Sequence, residues 1–86
     1  MLGKRRTIGT VTLVTRAGCH LCEEAEPVVA RAAGDAGAAF EVLDVDSDAR
    51  LAVWSDHVPV VLLDGVKHAQ WWVDEKELRK ALGVRV

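Results

Sequence analysis

The apolar and polar positions of this 86-residue chain change spacing from one segment to the next. Thr10–Thr15, with the sequence TVTLVT, is rich in β-branched residues and predicts a strand that ends at RAG, residues 16–18. After it the apolar residues recur at the spacing of a helix, as Leu21, Ala25, Val28, Val29 and Ala32. This second pattern predicts a helix of about four turns that stops at GDAG, residues 34–37.

The middle of the chain repeats the alternation of strand and helix. Phe40–Val45, with the sequence FEVLDV, predicts a second strand. The polar run DSDAR follows it, and Asp46 or Ser47 is expected to cap a short helix that reaches about Trp54. The order of elements to this point is β-α-β-α.

The last third of the chain predicts a hairpin and a final helix. VPVVLLDGVKHAQWW, residues 58–72, predicts two strands joined by Asp64-Gly65, a pair suited to the positive φ angles of a type I′ turn. In DEKELRKALG, residues 74–83, Asp74 is the expected N-cap, Glu77 its capping-box partner and Gly83 the stop. The hairpin therefore adds antiparallel strands, and the chain ends in a helix.

These elements predict one α/β domain. Two parallel strands need a right-handed crossover, and the hairpin then extends the same sheet. The expected fold has the order β-α-β-α-β-β-α around a four-stranded mixed sheet. A chain of 86 residues has room for one core, so we expect a single domain over residues 1–86 with its core at about 10–82.

Composition and charge exclude several classes of function. The chain is 50% apolar and 28% charged, with a formal net charge of -2, which is typical of an ordinary soluble domain. Lys4, Arg5 and Arg6 form the only basic cluster, which we interpret as a solvated terminus and not as a nucleic-acid surface. The apolar stretch Ile8–Val14 is too short for a membrane span or a secretion signal. We expect a cytoplasmic monomer with no membrane contact.

The two cysteines, Cys19 and Cys22, are the candidate chemistry of the chain. Residues three apart at a helix start lie on one face, about 5–6 Å apart at Cβ, so a small adjustment allows a reversible disulfide. Cys22 continues the apolar stripe of the helix, whereas Cys19 sits at the strand-to-helix turn, where free N–H groups stabilise a thiolate. We therefore expect Cys19 to attack and Cys22 to resolve.

Neighbouring charges act on the Cys19 thiol in opposite directions. A protonated His20 would lower the pKa of the Cys19 thiol, and we therefore expect His20 to tune that pKa. Glu23 and Glu24 would raise it if they face the sulfur, although acidic residues in a first helical turn are common because they complement the helix dipole. The sequence leaves this balance open.

Other interpretations of the cysteine pair are weaker. Haem attachment requires C-x-x-C-H, and Glu23 stands where the histidine is needed. A structural zinc site needs a second ligand pair, whereas His57 and His68 are single, far apart and expected to face solvent. Two buried cysteines that only pack as small apolar residues remain an alternative. We expect no metal site.

Together these motifs resemble the thioredoxin fold, and the chain is most similar to small bacterial dithiol glutaredoxin-like proteins. The resemblance rests on AGCHLCEEA, FEVLDVDSD and VPVVLLDG and covers about Thr10 to Leu82. Pro27, five residues after Cys22, matches a proline that lies inside the corresponding helix of thioredoxins, where it should kink the helix. The implied fold is thioredoxin-like, of glutaredoxin type.

The resemblance also implies roles for residues outside the cysteine pair. Arg16 matches a basic residue of glutaredoxins that faces a carboxylate of glutathione. Pro59 matches the cis-proline beside the cysteines, although X-Pro statistics alone favour trans. Val58, before it, would then offer its backbone to a substrate strand. Asp74 would bind an amine, in addition to its expected role as an N-cap.

The segment before the last helix departs from the glutaredoxin pattern. Where glutaredoxins have Gly-Gly, this chain has Ala69 and Gln70, followed by Trp71 and Trp72. The two tryptophans point to opposite faces if the strand continues through them, so one is expected in the core and the other at a substrate surface or under the last helix. Trp54, on the short helix, is also expected in the core.

The predicted activity is that of a thiol-disulfide oxidoreductase. Cys19 attacks the disulfide of a protein or of a low-molecular-weight thiol, and Cys22 resolves the mixed disulfide. No metal or organic cofactor is required, and glutathione or a reductase would supply the electrons. The alternative is a non-catalytic thioredoxin-like binding module, or a glutathione-assisted carrier that holds an iron-sulfur cluster through Cys19 and a second subunit.

Overall fold

The computed structural model describes residues 7–84, so the basic cluster at residues 4–6 lies outside the described part. Its elements follow the predicted order, with the strands and helices β1 Thr10–Thr15, α1 His20–Asp35, β2 Ala39–Asp44, a 3-10 helix at Ala49–Trp54, β3 Val60–Leu63, β4 Val66–Gln70 and α2 Glu75–Leu82. None of the helices within residues 7–84 has the length and apolar composition needed to cross a bilayer.

The four strands form one mixed sheet, as predicted, and lie in the spatial order β2-β1-β3-β4. β1 pairs with β2 in parallel and with β3 antiparallel, and β3 pairs antiparallel with β4. In the β1–β3 ladder Val14 lies opposite Val60, so the end of β1 and the start of β3 meet at one edge of the sheet. This edge therefore brings the segment before β3 to the cysteine pair that follows β1.

Hydrophobic side chains cover both faces of the sheet. On one face, α1 and α2 pack over a cluster formed by Val11, Leu13, Ala25, Val29, Ala32, Ala33, Val61, Leu63 and Leu78. On the other face a smaller cluster is formed by Val14, Val45, Val60 and Leu62, with Leu51, Trp54 and Val58 against it. Successive β3 side chains alternate between the two clusters, as the pleat of a strand requires. Trp54 thus packs against the core, as expected.

The short helix differs from the prediction in its cap and its type. It is a 3-10 helix capped by Asp48, whose Oδ1 accepts the Arg50 backbone N–H at 2.8 Å. Asp46 and Ser47 were predicted as caps, but both fold back onto Asp44, through the Asp46 backbone N–H at 2.8 Å and the Ser47 hydroxyl at 2.7 Å. The hydrogen bonds from Arg50 also lower the pKa of Asp48 to about 2.

The hairpin turn and the caps of α2 follow the sequence signals. Asp64 and Gly65 both have positive φ, 50° and 85°, as a type I′ pair requires. Asp74 caps α2 by accepting the Glu77 backbone N–H at 3.2 Å, and Gly83 ends the helix with φ 77°. The turn between β3 and β4 and both ends of α2 are therefore set by these local signals.

Candidate functional site

The two cysteines stand at the start of α1 and form a disulfide with a Cα–Cα distance of 5.2 Å. Cys19 is the N-cap residue, and its Sγ accepts the Cys22 backbone N–H at 3.2 Å. Cys22 is 3% exposed, whereas Cys19 is half-buried. The sulfur at the helix terminus is therefore the more accessible of the two, as expected from the sequence.

A tight turn places Cys19 at the helix terminus. Gly18 has φ 78°, a conformation that side-chain-bearing residues rarely adopt. The Cys19 backbone N–H then bonds to the carbonyl of Arg16 at 3.1 Å, and the Cys19 carbonyl accepts the Glu23 N–H at 3.1 Å to begin the helix. The Cys22 N–H of this first turn consequently points toward the Cys19 sulfur.

The Val58–Pro59 peptide bond lies at the same edge of the sheet and is cis. The Pro59 carbonyl accepts the Trp71 backbone N–H at 2.8 Å. Within residues 7–84, no such bond engages the backbone N–H or the carbonyl of Val58. Val58 therefore has main-chain groups to offer at the edge where the cysteines lie.

The guanidinium group of Arg16 is hydrogen-bonded to two other residues of the chain, Asp46 and Ser55. Its Nε and Nη2 donate to Asp46 at 3.2 and 3.3 Å, while Nη1 and Nη2 donate to the carbonyl and hydroxyl of Ser55 at 3.0 and 2.8 Å. The hydrogen bond to Asp46 is the main reason that the pKa of Arg16 is raised. Arg16 thus connects the end of β1 to the loop after β2 and to the end of the 3-10 helix.

His20 is exposed and lies beside two glutamates of the first turn of α1. Its Nδ1 is 3.8 Å from Glu23 and its Nε2 is 3.5 Å from Glu24. A positive charge on His20 would therefore be shared with these carboxylates. The tuning role of His20 toward Cys19 stays a prediction.

The tryptophan pair contradicts the expectation that one member is in the core. β4 ends at Gln70, and Trp71 has φ 73°, which turns the chain out of the strand. Trp71 is 45% exposed and Trp72 is 70% exposed. Because the strand stops before the pair, the alternation of faces on which the expectation depended does not apply.

The two single histidines are less exposed than expected. His57 is half-buried, stacks on Trp71 with ring centroids 5.9 Å apart, and has a buried Nδ1 without a hydrogen-bond partner among the described residues. His68 is half-buried, and this burial lowers its pKa. Within residues 7–84, no group of three or more His, Cys, Asp and Glu side chains is arranged to hold a metal ion.

Residues 10–83 match the family described as Glutaredoxin-like domain (DUF836). The chain belongs to this family. Proteins of Mycobacterium tuberculosis and Mycobacterium bovis, both described as uncharacterized, are 40% identical to this glutaredoxin-like domain over 75 residues, which is 80% of this chain and 77% of theirs.

Solved structures similar to this glutaredoxin-like domain share the thioredoxin fold. The structural-genomics target XcR50 from X. campestris superposes with a TM-score of 0.67 at 32% identity, over 85% of this chain and 95% of that one. A mutant thioredoxin from Halobacterium salinarum superposes with a TM-score of 0.64 at 27% identity, over 88% and 73%. The predicted fold and family are confirmed, and the CxxC disulfide in this fold supports a redox-type function.

One feature of the glutaredoxin-like domain was missed from the sequence. Leu21, between the cysteines, lines a groove of about 230 Å³ together with Val28, Trp71, Trp72 and Val73. The available signals were an apolar residue inside CxxC and two adjacent tryptophans in the place of Gly-Gly. These signals lie far apart along the chain, so the sequence did not indicate that they share one surface.

Proposed function

We propose that this glutaredoxin-like domain is a thiol-disulfide oxidoreductase that acts through Cys19 and Cys22. The observation that supports it is the disulfide at the N-terminus of α1, with one half-buried sulfur and one that is 3% exposed. The nearby Val58–Pro59 segment adds main-chain groups for a substrate. The substrate would be a disulfide-containing protein or a low-molecular-weight disulfide.

The reaction takes place in two exchanges that conserve sulfur and electrons. The Cys19 thiolate attacks one sulfur of the substrate disulfide, forms a mixed disulfide, and releases the other substrate sulfur as a thiolate that takes up a proton. Deprotonated Cys22 then attacks the Cys19 sulfur, which forms the Cys19–Cys22 disulfide and releases the second substrate thiol. The substrate gains two electrons and the domain loses two.

The order of attack follows from accessibility and from the helix terminus. A substrate sulfur can reach half-buried Cys19, whereas Cys22 is covered by the apolar packing of α1. The Cys22 backbone N–H bonds to the Cys19 sulfur at 3.2 Å, and this donor stabilises a negative charge on Cys19. Cys19 is therefore the nucleophile and Cys22 the resolving thiol.

Val58 is proposed to hold the substrate chain by strand addition. Its N–H and carbonyl have no main-chain partner in the described residues, so a substrate segment could bond to both. Such main-chain bonds would align a substrate disulfide with Cys19 and would not depend on the identity of the substrate's side chains. Specificity would then depend on the surfaces around this backbone contact.

The electron donor is proposed to be glutathione or a protein reductase, in the cytoplasm. For Arg16 to bind a glutathione carboxylate, its guanidinium would have to exchange Asp46 or Ser55 for the ligand. Asp74 would bind the ligand amine through the oxygen that does not accept the Glu77 N–H. The exchange chemistry itself needs no metal or organic cofactor.

Alkylation of the reduced protein by iodoacetamide tests this proposal. We expect Cys19 to react first, with a pH profile whose midpoint lies below the value of about 8.5 of a free thiol. The Cys22 N–H acts on the Cys19 sulfur at hydrogen-bond distance, whereas the exposed carboxylate of Glu23 is screened by water. Glu23→Gln should lower the midpoint slightly further, and Glu41→Gln on β2 is the matched control. A midpoint at or above 8.5 would argue against an activated thiol.

A further inference from the structure

An exposed apolar surface adjoins the disulfide. Trp72 is 70% exposed and Leu21 is 49% exposed, although burial of such side chains is the usual outcome of folding. Both line the groove of about 230 Å³ between α1 and the segment after β4. Neither cysteine lines this groove, but Leu21 stands between Cys19 and Cys22 in the chain, so a group in the groove contacts a residue of the CxxC segment itself. The groove can hold one large apolar side chain of a substrate.

Trp71 is held rigidly at the border of this groove. Its positive φ of 73° is unfavourable for a residue with a bulky side chain. The conformation is kept by bonds from its N–H to the His57 and Pro59 carbonyls, at 3.2 and 2.8 Å, and from its Nε1 to the Asp56 carbonyl, at 3.1 Å. A half-exposed ring in a strained and well-anchored position is typical of a binding surface.

The surface around the groove and the disulfide is acidic. The carboxylates that line it and the adjoining depressions are Glu23, Glu24, Glu26, Asp44, Asp74 and Glu77. Among the described residues that line these depressions, Arg16 is the one permanent cation, and its charge is paired with Asp46 at 3.2 Å. A cationic substrate is therefore attracted to this surface and an anionic one is repelled.

Glutathione matches this surface poorly, so of the two electron donors proposed above a protein reductase fits it better. It has two carboxylates and one ammonium group, so each molecule carries a net negative charge near neutral pH, and its disulfide carries twice that charge. It also has no large apolar side chain to fill the groove. A polypeptide with Lys or Arg near its disulfide and a large apolar residue beside the cysteine matches both features.

We propose that this domain acts on disulfides in cationic polypeptide segments whose cysteine is flanked by a large apolar residue, and discriminates against glutathione disulfide. This inference rests on the proposed function and names the substrate class of the same site. The reaction is the two-step exchange described above, with the peptide disulfide reduced and the Cys19–Cys22 pair oxidised. The apolar side chain enters the groove, and the basic residue faces the carboxylates.

Single-turnover reduction of synthetic peptide disulfides tests the proposal. The substrates are symmetric disulfides of blocked tripeptides, leucine-cysteine-lysine, leucine-cysteine-glutamate and serine-cysteine-lysine, together with glutathione disulfide. Each is mixed with the reduced domain, and the released thiol is quantified after an acid quench. Every rate is divided by the rate of the same disulfide with dithiothreitol, a neutral dithiol, to remove intrinsic differences in reactivity.

The lysine peptide is expected to react about tenfold or more faster than the glutamate peptide and glutathione disulfide at low ionic strength. At 1 M salt this ratio should fall below about three, because the Debye length is then about 3 Å. The leucine peptide should react about fivefold faster than the serine peptide, since the groove buries apolar surface that the serine side chain lacks.

Two variants separate the apolar and the electrostatic contributions. Trp72→Ala should abolish the leucine preference and keep the charge preference, whereas Glu24→Gln should reduce the charge preference about twofold and keep the leucine preference. Val53→Ala and Glu41→Gln are the matched controls, since neither residue lines the groove. Circular dichroism checks that each variant is folded.

The outcomes distinguish this inference from the proposed function. Equal normalised rates for all four disulfides, or faster reduction of glutathione disulfide, would overturn the selectivity and leave the oxidoreductase proposal intact. No reduction of any of the four disulfides would overturn both. A charge preference that persists in 1 M salt would also contradict the electrostatic origin proposed here.

Discussion

Replacement of Cys19 by serine is expected to reduce disulfide exchange to the uncatalysed background. A serine hydroxyl stays protonated near neutral pH and forms no bond to sulfur under these conditions, and buried Cys22 cannot reach a substrate directly. Cys22→Ser should behave differently, because Cys19 still attacks. The mixed disulfide then has no resolving thiol and should accumulate.

Mass spectrometry of the two variants after reaction with a peptide disulfide measures this difference. Cys22→Ser should carry one peptide per protein, and Cys19→Ser should carry none. Release of that peptide by dithiothreitol shows that the bond is a disulfide. Accumulation of adduct on Cys19→Ser, with none on Cys22→Ser, would reverse the roles assigned to the two cysteines.

The largest effect on stability is expected from Leu78→Ala. Leu78 is 0% exposed and is the one buried residue of α2, where it packs into the cluster between α1 and the sheet. Removal of a buried leucine costs about 2.7–5 kcal/mol of unfolding free energy. A domain of 86 residues has a total of about 4–13 kcal/mol, so the variant should lose a large part of its stability.

Urea unfolding, followed by tryptophan fluorescence in the oxidised protein, measures this loss. The midpoint should fall while the slope stays unchanged, because the folded state keeps its extent of burial. Lys76→Ala is the matched control, since Lys76 is exposed on the same helix, and its effect should stay within about 0.5 kcal/mol. A loss below 1 kcal/mol for Leu78→Ala would contradict the packing described for α2.

The parts of the fold that were predicted correctly are those encoded by neighbouring residues. TVTLVT forms β1 over the predicted residues, the pair Asp64-Gly65 makes the hairpin turn, and Asp74 caps α2. Each of these signals acts over six residues or fewer, through side-chain branching, positive φ or a local hydrogen bond. Such information is fully present in the sequence.

The predictions that were wrong concern positions where a residue far away in the sequence determines which of several local conformations forms. Asp46, Ser47 and Asp48 are all good N-cap residues, and Arg16 on the other side of the loop engages the Asp46 carboxylate. The cap therefore forms at Asp48. Ser47 is withdrawn by a local bond from its hydroxyl to the Asp44 carbonyl, whereas Asp46 is engaged by Arg16, which follows β1 and which no local pattern in this loop indicates.

In the candidate site, too, the locally encoded feature was predicted and the feature that depends on distant residues was missed. The disulfide was predicted because both cysteines lie within one helical turn. The groove was missed because main-chain bonds from Trp71 to His57 and Pro59 turn the chain out of the strand, and this turn places Trp71 in the groove that Leu21 also lines. A conformation fixed by long-range backbone contacts overrides the alternation that the strand pattern suggested.

Redox equilibration of the cysteine pair tests the central claim most directly. The protein is equilibrated in glutathione buffers over a range of redox potentials and quenched with an alkylating reagent. Its mass is then determined by mass spectrometry. The account predicts two dominant species, a dithiol and a Cys19–Cys22 disulfide, that interconvert in one two-electron transition of about 30 mV per tenfold change. Two alkylated cysteines at every poise would contradict it.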